Sequence, residues 1–260
     1  MKLHILSDVH LEFGKWQRSI DINAIDAEVT VLAGDISVGL EGLQWAMAIH
    51  RPVIYVMGNH EFYGQRPMLD LWRKAREKVA GTHIHLLENE SVVLDDPSRP
   101  GERVRFLGAS LWTDFCVLGL EHQEAAMADA TRTVTDYNAI YVSRRGGAIS
   151  EPGFTMRHQG DRLTPNRTLA FHQESRRFLE SELERKDGVW NRTVVVALRL
   201  QGVEEIDGSA ALALHPMAIG VEPLAELFGP GVEDGGDSTF GVLRFAHGRL
   251  TQPVTYGVTG

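Results

Sequence analysis

Three short apolar runs, Leu3 to Leu6, Val29 to Ala33 and Val53 to Met57, each stop at a polar phrase: Asp8-Val9-His10, Gly34-Asp35 and Gly58-Asn59-His60-Glu61. Runs this short and this rich in Val, Ile and Leu read as strands rather than buried helices. Strands that lack polar alternation belong inside a parallel sheet covered on both faces. In open α/β sheets, ligands gather beyond the carboxyl ends of the strands. The spacing therefore predicts that the three phrases converge on one crevice.

The residue types in those phrases suit a pair of divalent ions. Asp8, His10 and Asp35 offer carboxylate oxygen and imidazole nitrogen, and Asn59 offers a neutral amide oxygen. This mixture favours Mn, Fe or Zn over Ca or a thiolate site. Two such ions about 3.5–4 Å apart can clamp a phosphoryl group and activate a bridging water. One carboxylate must then serve both ions, and Asp35 is the natural candidate. His60, beside Asn59, is placed to donate a proton to a departing alkoxide.

In order and composition the phrases resemble the D-x-H, G-D and G-N-H-[DE] motifs of the calcineurin-like metallophosphoesterase superfamily. Residues 103–115 (Arg-Val-Arg-Phe-Leu-Gly-Ala-Ser-Leu-Trp-Thr-Asp-Phe) also resemble a strand and loop of a bacterial branch, and the likeness runs from residue 1 to about residue 196. The resemblance implies an α/β fold, the four-layer α/β/β/α sandwich of that family, built as one domain over residues 1–260. It also implies two divalent metals, with Asp8 and His10 on the first, Asp35 bridging, Asn59 on the second, and His60 as general acid. The implied reaction is hydrolysis of a small phosphomonoester or phosphodiester by a hydroxide activated between the metals. Each phrase alone has a plainer reading, because Gly-Asp and Gly-Asn are ordinary turn chemistry and Asp-x-His suits a capped turn. Three in order at strand ends favour the site.

The second half of the family pattern is altered. The strand Thr193 to Val196 runs on into Ala197-Leu198-Arg199-Leu200, where the family places a metal-binding His. Near the C terminus, Arg249 and Thr251 stand at the two His positions of the closing motif. A strict transfer leaves the first ion with Asp8, His10 and Asp35, and the second with Asp35 and Asn59 only. His215 and His247 each follow an apolar stretch, and each reads either as a replacement ligand or as a structural histidine. The stretch from 198 to about 240 has no lysine and carries acidic clusters such as Glu204-Glu205 and Glu233-Asp234, without clear punctuation. It fits either a shifted reading frame or divergence. The alternative to a working hydrolase is a catalytically impaired member that serves as a binding or scaffold protein.

Other features bound the reading. With 260 residues and 43% apolar content, one full α/β core is affordable. The single cysteine, Cys116, rules out an intramolecular disulfide and points to packing in a reducing compartment. The N terminus, Met1 to Asp8, enters the first strand directly and meets the Asp8 charge too soon for the apolar core of a signal peptide. No apolar stretch approaches the ~20 residues of a membrane span, so the expected location is cytoplasmic. A net charge of −9 with a pI near 5.7 argues against nucleic acid and leaves a small phosphorylated molecule as the expected partner. Val38 and Gly39 stand where serine/threonine protein phosphatases carry Asp and Arg, which argues against that branch. Met68, Leu71, Trp72, Ala75 and Val79 share a helical face ended by Gly81, and Thr164-Pro165 opens a second helix. Residues 143 to 163 lack periodicity and read as a long loop in which Arg144-Arg145 is either a substrate contact or an exposed pair.

Overall fold

The structure, a computed structural model, describes residues 1–14, 21–64, 67–144, 160–185, 187–198, 240–245 and 254–257. In the first sheet, β1 (Lys2–Leu6), β2 (Val29–Ala33), β3 (Val53–Val56) and β4 (Ile84–Leu86) run parallel. Between β2 and β3 lies α1 (Glu41–Ala46), and between β3 and β4 lies α2 (Met68–Val79). The second sheet begins with β5 (Glu90–Asp95) antiparallel to β6 (Arg103–Ala109). The chain then passes through α3 (Gln123–Thr133), α4 (Asp136–Ala139), β7 (Tyr141–Arg144), β8 (Gly160–Arg162) and α5 (Pro165–Glu184) to β9 (Arg192–Leu198), which lies parallel to β6. Two strands from the divergent tail complete the sheets. β10 (Phe240–Phe245) pairs parallel with β9, and β11 (Val254–Gly257) pairs antiparallel with β1.

The period-2 geometry of strands sorts the apolar runs onto two faces. Leu3, Ile5, Val29, Val31, Ile54 and Val56 of the first sheet pack against Val104, Phe106, Val194 and Val196 of the second. The intervening residues Leu32, Val53 and Tyr55 face α1 and α2, which supply Leu43, Met68, Leu71 and Ala75. On the far side, Leu107, Ala109, Val195 and Ala197 meet Leu179 of α5. The result is four layers, helix, sheet, sheet, helix, as the family resemblance implies. Gly108 lies where the facing layer comes close. A Cβ there would sit 2.4 Å from Leu87 Cβ and 3.1 Å from Val56 Cγ2, so no other residue fits without displacing the facing layer.

Both expected helices form. In α5, Thr164 accepts a hydrogen bond from the Arg167 amide and Pro165 fills the first turn. α2 ends at Val79, and Gly81 has a positive φ of 73°. The expected loop over 143–163 is corrected at both ends, where β7 and β8 pair antiparallel. The signal was missed because each strand is too short to show a period. Arg145 lies outside the described residues, as do Arg199, Leu200, His215, His247, Arg249 and Thr251. Cys116 is half-buried beside the inward-turned Trp112 and Phe115, while Val117 and Leu118 point outward. Among the described residues, no helix is long and apolar enough to cross a membrane.

Candidate metal centre

The turns after β1 and β2 are stitched together through their backbones. The amides of Asp8, His10 and Leu11 donate to the carbonyls of Gly34, Asp35 and Ile36 at 3.2, 3.1 and 3.0 Å. Asp8, His10 and Asp35 all take left-handed backbone conformations, with φ of 51°, 48° and 53°. For residues other than glycine such conformations cost roughly 1–3 kcal/mol each and persist where the surroundings impose them, commonly at functional sites. Here they bring ligand atoms of Asp8, His10 and Asp35 within 4.8 Å of one another. The Ser7 hydroxyl donates to Asp8 Oδ2.

The third phrase docks on the second through Glu61, which is completely buried. Its Oε2 accepts from the amides of Asp35 and Gly58 at 3.1 and 2.8 Å. Its Oε1 accepts from the Ile36 amide at 2.9 Å and the Tyr55 hydroxyl at 3.0 Å. Burial pushes the carboxyl of Glu61 upward against the pull of these bonds, and it pushes the Tyr55 hydroxyl up as well. The His60 amide in turn donates to Asp35 Oδ1 at 2.9 Å, so the Asp35 side chain is held by the third phrase and its backbone amide by Glu61.

Sequence reasoning did not single out Glu12. Its Oε1 lies 3.0 Å from His10 Nδ1 and 3.7 Å from His60 Nδ1, and the rings of His10 and His60 meet edge-on at 4.5 Å. A carboxylate is an acceptor only, so Glu12 accepts a hydrogen bond from Nδ1–H of His10 and leaves Nε2 as the nitrogen able to bind an ion, the usual support for a metal-bound imidazole. The signal was available in His10-Leu11-Glu12: Leu11 turns into the core, leaving the residues on either side to face the crevice.

Asn59 directly precedes His60, whose amide reaches Asp35. Its amide nitrogen donates to Asp136 Oδ1 at 2.8 Å, whereas its Oδ1 is buried with no hydrogen-bond partner among the described residues. A buried, unsatisfied oxygen costs roughly 1–3 kcal/mol, and a cation would satisfy it. Taken together with the Asp8, His10 and Asp35 group, this donor set fits first-row divalent ions.

Behind the third phrase, Glu88 joins the two sheets. Ser110 Oγ lies 2.6 Å from both Glu88 Oε2 and the carbonyl of Met57, the residue before Gly58. The Ser110 amide also donates to Glu88 Oε2, at 3.1 Å, and these Ser110 bonds work against the burial of the carboxyl. Burial raises this carboxyl to about 7. The folded chain therefore holds a proton that the unfolded chain releases near pH 4.5, and stability falls as pH rises from about 4.5 to about 7, then levels. Glu88→Gln removes that slope. Thermal melts of the variant should match wild type at pH 5 and exceed it at pH 8, by up to roughly 3 kcal/mol. Equal differences at both pH values would show that Glu88 is not the titrating group.

Of the five residues expected from sequence, Asp8, His10 and Asp35 form one group, and His60 forms another with His10 and Glu12. Asn59 is tied to this region through the adjoining His60 amide and its bond to Asp35. At the end of β9, Ala197 and Leu198 occupy the strand end where the family places a histidine.

Residues 1–142 match the calcineurin-like phosphoesterase superfamily domain. Among solved structures, the chain is similar to a phosphopantetheinyl hydrolase from Mycobacterium tuberculosis, at 19% identity and a TM-score of 0.50, covering 75% of this chain and 67% of that one. It is also similar to a dimetal phosphatase from Danio rerio, at 15% identity and a TM-score of 0.38, covering 76% and 69%. No curated protein matches. The matched domain takes in all three polar phrases and more than half of the 260 residues, and the chain belongs to the calcineurin-like phosphoesterase superfamily, whose chemistry is metal-dependent phosphoester hydrolysis.

Proposed function

We propose that this chain hydrolyses a small phosphomonoester or phosphodiester with two divalent ions, manganese among the candidates, within a single domain over residues 1–260 whose tail from 198 diverges from the family pattern. In this reading Asp8 and His10 hold the first ion, Asp35 serves both, Asn59 holds the second, and the protein works in the cytoplasm. The observation that carries it is the convergence of Asp8, His10 and Asp35 on strained, left-handed backbone. When bound, the ions supply positive charge that polarises the phosphoryl group and acidifies water. The chain's own residues position and protonate. His60 is held between the ring of Tyr63, stacked at 4.4 Å, and that of His10, with Glu12 near its Nδ1. From there it gives its proton to the leaving oxygen.

A second reading has its own support. Ala197 and Leu198 provide no ligand where the family supplies one, which favours an impaired member acting as a binding or scaffold protein with one ion or none. The two readings separate on metal content and turnover. After loading with Mn and removal of excess, the hydrolase reading expects two ions per chain and turnover of a phosphodiester with a poor leaving group. His60→Ala should lower that turnover by ~10²–10⁴-fold. One ion or none, with no turnover, gives the lead to the binding-protein reading.

A further inference from the structure

Asn59 and His60 adjoin in sequence, yet the group that holds them comes from α4, 77 residues beyond Asn59. Asp136 Oδ1 accepts from the Asn59 amide at 2.8 Å and also from the Tyr63 hydroxyl. Tyr63 in turn stacks on His60, with an interplanar angle of 20°. Asp136 is buried, and its helix is anchored on both sides: Ile140 is fully enclosed, and the Tyr137 hydroxyl lies 3.1 Å from Thr168 Oγ1 of α5.

We propose that Asp136 is a positioning residue for the metal centre: it turns the Asn59 carboxamide so that the oxygen is offered to a cation, and through Tyr63 it fixes the plane of the His60 ring. This rests on the two-ion reading above. The two ends of a carboxamide are nearly the same size and differ chiefly in hydrogen bonding. An acceptor-only carboxylate on one side forces the NH₂ end toward itself and leaves the oxygen on the other side, where it is buried and unpartnered. Without Asp136 the amide is free to flip, and a flipped amide presents two N–H groups that repel a cation. Groups that orient a ligand typically change metal affinity 10- to 100-fold.

Both bonds end on one oxygen of Asp136, so the chemistry of the test is specific. Asp136→Asn retains an acceptor oxygen in that place, whereas Asp136→Leu keeps the branching of the side chain and removes the acceptor. Titration calorimetry with Mn should show affinity for the second ion weakened ~10- to 100-fold in Asp136→Leu and restored to within a few-fold in Asp136→Asn. A folded Asp136→Leu that binds both ions as tightly as wild type overturns the proposal. A second measurement needs neither metal nor a folded Leu variant. In the metal-free wild-type protein, the Asn59 side-chain amide protons, assigned by their loss in Asn59→Asp, should exchange more slowly than those of an exposed carboxamide. Exchange at the exposed rate overturns the clamp. A wild-type chain that binds a single ion refutes the two-ion reading by itself, and the Asn59 amide protons then decide the clamp: protected, it stands; exposed, it falls.

Discussion

Asp35→Asn should lower phosphodiester turnover by roughly 10³-fold or more while leaving the protein folded. The side chain is almost completely buried and its Oδ1 receives the His60 amide at 2.9 Å. An asparagine oxygen can keep that bond, and the asparagine backbone tolerates the left-handed φ of 53° adopted there. What disappears is the negative charge that two cations are proposed to share. Several kcal/mol of transition-state stabilisation depend on such ions, and each 1.36 kcal/mol is a factor of ten in rate. Bound Mn should fall along with kcat/KM, and the melting temperature should stay close to that of the wild type. A variant that keeps its metal and loses less than tenfold in rate would remove Asp35 from the bridging role. A nitrophenyl diester suits this experiment, because its leaving group needs little protonation and the result then bears on the metals rather than on His60.

The second large effect concerns stability. Glu61→Gln should destabilise the fold by roughly 2–4 kcal/mol, and Glu61→Ala by more, enough to leave little folded protein in a chain with ~5–15 kcal/mol in total. The reason is acceptor count. Each carboxylate oxygen receives two donors: Asp35 and Gly58 amides on Oε2, the Ile36 amide and Tyr55 hydroxyl on Oε1. Glutamine replaces one oxygen with a donor, so at least one buried backbone amide faces an N–H group whichever way it is turned: the Ile36 amide on one side, where the Tyr55 hydroxyl can turn to accept, or the Asp35 and Gly58 amides on the other. Alanine leaves all four without a partner. Urea melts at constant pH read this directly, and a Glu61→Gln variant as stable as wild type would mean the turns after β2 and β3 do not depend on the carboxylate. The consequence for the site is structural: Glu61 holds the backbone of Asp35 and of the Gly58 turn in register.

Much of the first half was legible in sequence because the signals are local. Leu3 to Leu6, Val29 to Ala33 and Val53 to Met57 announce themselves as inner strands, and they pair in parallel, with polar phrases at their carboxyl ends. The helix over Met68–Val79 and the capped start of α5 follow from period and capping chemistry. Even the choice of ligand types at Asp8, His10, Asp35 and Asn59 is a statement about side-chain chemistry that needs no coordinates. The short pairing of β7 with β8 was not legible, because three or four residues are too few to carry a period.

What the tertiary structure alone decided is which groups stand behind those candidate ligands. Glu12 reaches two histidines because Leu11 turns inward and carries its neighbour round. Glu61, four bonds in all, is indistinguishable in sequence from any acidic residue after a turn until the Asp35 and Gly58 loops are brought together. Asp136 lies 77 residues from Asn59 and carries no local mark of its role. Side-chain chemistry is written residue by residue and so can be read along the chain, whereas orientation depends on partners brought close by packing, and those partners exist only once the sheets and helices have closed.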